Sequence, residues 1–309
     1  MYQVSDQTGR RFVITGANSG TGKEATRRIA AAGGHVVMGV RTEDKGHTAA
    51  DEIRRDVPSA SLEVRRIDLA DLASVRAFAD GILSDGHQLD VLINNAGVMA
   101  VPKRMLTADG FELQFGSNFL GPFALTNLLL PHLLSSTSPR VTTMASGAAN
   151  FGRINFRDLQ FTESYSPTKV YCQSKLADLL LGVHLARVAD ERGWNLLSTI
   201  AHPGNTRTNL QTAGPNLGRT TKRFNPMLDL PILPSQDVVT GTEPLLFAAT
   251  DPDARQGAYY GPAGVGGLIG PTKNADLPRS SRGVDLAASL WAVAENLTRT
   301  TLPVEVTTP

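Results

Sequence analysis

Residues 11–34, RFVITGANSGTGKEATRRIAAAGG, constrain the fold more than any other stretch. The apolar run Phe12-Val13-Ile14 passes through a glycine-rich turn into a helix-like segment that stops at Gly33-Gly34. A strand that feeds a helix through so short a turn is half of a βαβ unit, which commits the chain to parallel strands and right-handed crossovers. The rhythm then repeats. HVVMGV, LEVRRIDL, DVLINNAG, RVTTMAS, LLSTIAHPG and GAYYGP read as further strands. Helical stretches separate them: in LASVRAFADGIL, Leu72, Val75, Phe78, Ala79 and Ile82 share one face, and a long helix is expected from Asn118 to Leu134. The expectation is α/β: a single-domain Rossmann-type, doubly wound parallel sheet of about seven strands with helices on both faces. No internal repeat or low-complexity linker interrupts it, so residues 1–309 read as one domain.

Two regions leave the alternation. Residues 205–235 carry Pro215, Pro226, Pro231 and Pro234 among apolar side chains just after a strand end, the pattern of a substrate lid or of short helices that cover the core. Residues 263–309 form a C-terminal extension, glycine- and proline-rich at first. It ends in a helix with Leu286, Leu290, Val293 and Leu297 on one stripe, suited to core or to a subunit contact.

Charge excludes some partners. Thirty basic against 29 acidic side chains leave +1, which gives neither nucleic acid nor an anionic membrane a reason to bind. Cys172 is the single cysteine, so no intrachain disulfide forms and a reducing, cytoplasmic setting is expected. No apolar run reaches the ~18 residues of a membrane span, and MYQVSDQTGRR lacks the apolar stretch of a signal peptide, so no membrane anchor is expected. No His/Cys/Asp cluster has metal-ligand spacing.

The glycine turn points to a ligand. Thr15, Gly16, Asn18, Ser19, Gly20, Thr21 and Gly22 follow a strand and open a helix, where glycines allow close backbone approach and the helix start attracts phosphate. The spacing, G-xxx-G-x-G, differs from the G-x-G-x-x-G of many dinucleotide sites, and a purely structural turn is the competing reading. The second strand ends at Val40-Arg41, with no acid in positions 34–41 to take ribose hydroxyls. Arg41 suits a 2′-phosphate and favours NADP(H) over NAD(H), with Lys45 and Lys23 as further cations, unless all three are solvated surface charges. Asp68 and Leu69 end the third strand, placed to meet an adenine, though an isolated Asp there also serves as a helix cap. Asn94, Asn95, Ala96 and Gly97 end the fourth, small enough to let a nucleotide lie across the strand ends.

Tyr171 and Lys175 stand one helical turn apart in YCQSK. An ammonium there favours the phenolate of a side chain whose reference pKa is about 10, which equips the pair to move a proton. The same spacing occurs in YSPTK, Tyr165 to Lys169, but Pro167 interrupts that helix, so Tyr171 and Lys175 are preferred. Cys172, beside them, reads as a structural thiol, and His35 and His202 as packing residues at strand ends.

With these motifs in order, the chain resembles the short-chain dehydrogenase/reductase family over about residues 9–262. The likeness rests on TGANSGTG, Asp68-Leu69, NNAG, Asn118 in SNFLGPF, Ser146, Tyr171 with Lys175, and Pro203-Gly204 with Thr208. Within the family, VVMGVRTEDKG, YCQSKLADLLLGVHLAR and HPGNTRT look most like the retinol-dehydrogenase-like and protochlorophyllide-reductase-like branch. The resemblance implies an NADP(H)-dependent oxidoreductase that interconverts a lipophilic ketone or aldehyde and its alcohol. It implies Tyr171 as general acid or base, and Lys175 as its partner and a ligand of the nicotinamide ribose. It implies Ser146 as the substrate-oxygen donor and Asn118 as the backbone holder of a relay water. Pro203, Gly204, Thr206 and Thr208 would shape the nicotinamide and phosphate end. Ala145 stands where many members have a second serine, and Thr21 where an isoleucine is usual. Homodimers or homotetramers through the helices after the fourth and fifth strands are also implied, with the C-terminal extension either blocking or extending such contacts. A non-catalytic NADP(H)-binding sensor on the same fold is the rival reading.

Overall fold

The computed structural model describes residues 1–208, 234–281 and 284–303. The fold is built on one sheet of eight strands: β1 (Arg11–Thr15), β2 (His35–Val40), β3 (Leu62–Arg66), β4 (Val91–Asn94), β5 (Arg140–Met144), β6 (Leu197–Ala201), β7 (Tyr259–Pro262) and β8 (Thr272–Ala275). They lie in the order β3-β2-β1-β4-β5-β6-β7-β8, parallel except for β8. The central strands are apolar runs because both faces are covered: every residue of β1, β4 and β5 is buried. The principal helices are α1 (Gly20–Ala31), α2 (Glu43–Asp56), α3 (Leu72–Ser84), α4 (Gly121–Leu133), α5 (Pro167–Arg192), α6 (Val238–Thr250) and α7 (Val284–Thr298). Two apolar clusters fill the two sides, one around Phe115, Phe119, Phe123 and Leu180, the other around Phe12, Ile29, Met38 and Leu246.

The chain turns outward in opposite directions from β1 and β4, which are neighbours. That reversal opens the crevice at the carboxyl ends of the strands where ligands of such sheets bind.

Three expectations change. The sheet has eight strands rather than about seven, because Thr272–Ala275 turns back antiparallel on β7 from inside the glycine-rich extension. The helix expected from Asn118 begins earlier: Leu113–Phe115 is helical, and Gly116–Leu120 forms a π turn that runs into α4. In the final helix the buried stripe is Ala287, Leu290, Trp291 and Ala294. It packs on α4 and α5, with Trp291 edge-on to Phe123 at 4.7 Å and 4.8 Å from the His184 ring. The helices after the fourth and fifth strands are thus covered on this side by the chain's own extension. The segment read as a lid falls, for residues 209–233, outside the described residues. Its two roots are pinned together by a bridge between Thr206 and Gln236 and by Gln236 Nε2 donating to the Pro203 carbonyl.

Candidate active site

α5 carries the Tyr-Lys pair, and its limits are written locally. Ser166 caps it, accepting from Lys169 N, Pro167 opens it, and Gly193 closes it with φ +64°. Tyr165 therefore precedes the helix, and its hydroxyl donates to the Val101 carbonyl at 2.8 Å. Tyr171 and Lys175, inside the helix, are 8% and 3% exposed.

Lys175 Nζ donates to the Met144 carbonyl at 2.9 Å and to Asp178 Oδ2 at 2.8 Å. Burial pushes this ammonium down, but the charges of Asp178 and Tyr171 and the bond to Asp178 offset it, so it is held above its ordinary value. Burial lifts the Asp178 carboxyl to about 6 against the pull of Lys175. A Cβ at Gly97 would stand 3.5 Å from Lys175 Nζ and 3.3 Å from Asn118 Oδ1, so the chain just past β4 lies close over the pair.

Lys175 acts on Tyr171 in the expected direction, lowering the proton affinity of its phenol, but burial acts more strongly. Burial raises its phenol above the ordinary value and outweighs the lowering by Lys175 and by a hydrogen bond with Ser146. The phenol is held protonated, the form a general acid requires. Ser146 sits just beyond β5, where its Oγ accepts from Ala148 N at 3.2 Å and Tyr259 donates to its carbonyl at 3.2 Å. Asn118 lies in the π turn, 1% exposed. Its side chain clasps Val98, accepting from N at 2.7 Å and donating to O at 2.9 Å, and donates to Ser174 Oγ at 2.9 Å. The Asn118 side chain is thus fully engaged, within a turn whose backbone bonds run i→i−5 rather than i→i−4.

The glycine turn is cross-linked to the end of β4. Thr15 Oγ1 accepts from Asn95 N at 3.0 Å and from Ala96 N at 3.1 Å, Asn95 Nδ2 donates to Thr15 O at 2.9 Å, and Thr21 donates to Asn95 Oδ1 at 2.8 Å. These side chains build the crevice and are spent on one another. Gly16 and Gly20 have φ +68° and +54°. A Cβ on Gly20 would lie 3.5 Å from Thr208, which brings the HPGNTRT segment over the turn. Ser19 is exposed at the N-cap of α1 without a side-chain cap bond, Asn18 is half-buried beside it, and the first turn of α1 carries no acid. A helix start with open N–H groups, no competing carboxylate and glycines at its mouth fits a dinucleotide pyrophosphate.

Other expected residues are placed variously. Arg41 and Lys45 are exposed at the end of β2 and the start of α2. Lys23 instead pairs with Glu52. Asp68 is not the cap of α3: Asp71 is, while Asp68 Oδ1 accepts from Ala70 N at 3.0 Å. Leu69 is in the core cluster at the same strand end. Asn94 is 3% exposed and donates to Thr126 of α4, away from the crevice. Gly204, at φ +63°, packs so closely on the Leu268 carbonyl that a Cβ would overlap it. Thr206 turns inward, donating to the Pro203 carbonyl. Cys172 is buried, its thiol pushed up by burial, and His202 stacks 4.8 Å from Tyr259, held neutral by burial at about 4.

Sequence reading missed Tyr259, which steadies Ser146, and Asp178. The signal for Asp178 was an acid three residues past Lys175 inside the otherwise apolar run LADLLL. Among the described residues no His/Cys/Asp/Glu group could hold a metal, and no helix is long and apolar enough to cross a membrane.

Residues 10–214 match the family model for short chain dehydrogenases. Retinol dehydrogenase 12 of Homo sapiens is 43% identical over 220 residues, 71% of this chain and 69% of that one. Retinol dehydrogenase 14 of Homo sapiens is 36% identical over 307 residues, 93% and 85% of the two chains. The crystal structure of an uncharacterised protein from Mycobacterium paratuberculosis superposes with a TM-score of 0.80 at 40% identity, covering 97% of each chain. A short chain dehydrogenase from Burkholderia cenocepacia, solved in complex with NADP, shares the fold at 21% identity and a TM-score of 0.59, over 79% of this chain and 91% of that one. The chain belongs to the short-chain dehydrogenase/reductase family of oxidoreductases, on its retinol-dehydrogenase-like branch.

Proposed function

We propose that the protein is an NADP(H)-dependent reductase or dehydrogenase that interconverts a lipophilic ketone or aldehyde and its alcohol. The observation that carries this is the gathering of Ser146, Tyr171 and Lys175, with Asn118 beside Lys175, at the strand ends next to the glycine turn. Bound NADP(H) supplies or accepts the hydride and, when oxidised, adds a positive charge. Thr15, Gly16, Asn18, Ser19, Gly20, Thr21 and Gly22 form the cradle for its phosphates, and Arg41 and Lys45 the cations for a 2′-phosphate. Asp68, Leu69 and the stretch Asn95–Gly97 border the nucleoside, and Pro203, Gly204 and Thr208 the nicotinamide end.

The chain's own residues then do the following. Ser146 donates to the substrate oxygen and orients it. Tyr171, protonated at neutral pH, gives its proton to that oxygen in reduction; in oxidation it first releases that proton to the relay water and, as the phenolate, takes the proton of the alcohol. Lys175 keeps a positive charge behind Tyr171 and hydrogen-bonds the ribose, and the Asn118 backbone holds a water that refills the proton. The apolar residues in the sequence of 205–235 support a lipophilic substrate. The single cysteine, buried as a free thiol, supports a cytoplasmic setting. Since α7 covers one face of α4 and α5, a homodimer or homotetramer built through these helices on that side would have to include α7 in its contact.

The test is NADPH consumption, with NADH in parallel, against lipophilic aldehydes and ketones, retinal among them, with Tyr171→Phe as control. Turnover that prefers NADPH and is lost in the variant is expected. Full activity in Tyr171→Phe would refute the assignment of the site.

A further inference from the structure

We propose that Asp178 is a positioning residue that holds the Lys175 ammonium against the end of β5 and, by its own charge, opposes that ammonium's tendency to loosen the Tyr171 proton. The proposal rests on Tyr171 and Lys175 being the proton-moving pair described above.

Three observations carry it. Asp178 is 2% exposed, and its Oδ2 accepts from Lys175 Nζ at 2.8 Å, one turn along the same helix. An ammonium has three N–H donors, and here the Met144 carbonyl and Asp178 take two, which leaves one for the crevice. The other carboxylate oxygen, Oδ1, is buried without a hydrogen-bond partner among the described residues. A buried carboxylate left half-satisfied is costly and persists where a charge partner fixes it. This one sits where its charge reaches the reacting phenol: Asp178 pushes the Tyr171 proton affinity up while Lys175 pulls it down.

The trio therefore behaves as one titrating unit, phenol, ammonium and carboxylate in a line along α5. The other titratable groups facing it are Cys172 on the same helix and Tyr259 from β7, with neutral His202 of the β6 end stacked behind Tyr259. Ser146 from the β5 end and Asn118 from the π turn are polar and uncharged. Lys175 is the charged group that acts on Asp178. Asp178 stands seven positions after Tyr171, a helix rise of ~10 Å, and one unit charge at about that distance in a protein interior moves a proton equilibrium by about one pH unit.

The experiment needs no substrate. Tyrosinate absorbance near ~295 nm is titrated in the full chain, and the difference between each protein and its Tyr171→Phe counterpart isolates Tyr171 among the five tyrosines. Asp178→Asn keeps the shape and an acceptor oxygen while removing the charge. Tyr171 is expected to ionise about one unit lower in Asp178→Asn than in the wild type, tenfold in proton concentration. Asp178→Ala should move it in the same direction, and it carries the test if the Asn variant does not fold. A merely structural role lowers the melting temperature of both variants and leaves the Tyr171 titration where it was. An unchanged or higher Tyr171 titration overturns the proposal. Full carbonyl reduction by Tyr171→Phe would instead sink the catalytic reading, whatever the titration shows.

Discussion

Cofactor choice turns on Arg41, and the structure sets the size of the effect. Arg41 directly follows Val40, the last residue of β2, and is exposed. Among the described residues it makes no hydrogen bond or ion pair, so Arg41→Ala costs the fold little, within about 0.5 kcal/mol. Of the other two cations, Lys23 is already paired with Glu52, while Lys45 stays in place in the variant. A hydrogen bond between charged groups contributes about 1.5–3 kcal/mol, and solvent at this open position keeps Arg41 near the lower end. About 1.5–2 kcal/mol is roughly a 10–30-fold loss of NADPH affinity. NADH lacks the 2′-phosphate, so its affinity should change less than about twofold. The assay is a fluorescence titration of both cofactors with wild type and Arg41→Ala at low and high salt. The variant should also lose part of the salt dependence of NADPH binding, since one ionic contact has gone. An NADPH affinity that does not change, or that falls together with that of NADH, would refute Arg41 as the selector.

Two further substitutions test the frame around the site. A Cβ on Gly22 would overlap the Gly16 carbonyl and lie 2.5 Å from Asn95 Nδ2. Gly22→Ala should therefore spread the glycine turn, destabilise the fold by about 1–3 kcal/mol and abolish NADPH binding, read by thermal melting and fluorescence titration. His202 is 5% exposed, and burial depresses its pKa from 6.5 to about 4. Its contribution is fully present above pH 6.5 and is lost as pH falls towards 4, because the unfolded chain binds the proton first. By about pH 5 the loss is about 2 kcal/mol, so urea midpoints should drop further between pH 7 and 5 in the wild type than in His202→Gln. Parallel losses in the two proteins would remove His202 as the cause.

What the sequence discloses, and what it hides, follows from which interactions leave a pattern. Parallel strands covered on both faces must be apolar runs, so β1, β2, β4 and β5 are legible; Pro167, read as a break before YCQSK, stands at the first turn of α5, whose caps Ser166 and Gly193 went unread. β8 reads TKNA and is half-exposed; it joins the sheet by backbone pairing to β7, which no side-chain pattern records. The π turn around Asn118 is hidden for a related reason, since a helical face looks the same whether one turn is widened or not.

The site divides along the same line. Residue type points correctly to the crevice, but it cannot say which polar groups are consumed in building it. Thr15, Thr21 and Asn95 are bound to one another, and Asn94 to Thr126, so side-chain identity alone overstates how many of them are free to grip a ligand. What these bonds leave open at the mouth is backbone at Gly16 and Gly20, beside the unfilled cap of α1. Anion recognition of that kind depends on the absence of side chains, which is why substitution at Gly22 should damage it more than truncation of Ser19 or Asn18. Asp178 shows the converse. An acid three residues past a lysine on a helix reads as a solvated pair, and burial alone turns it into a charge with a hold on chemistry two turns away.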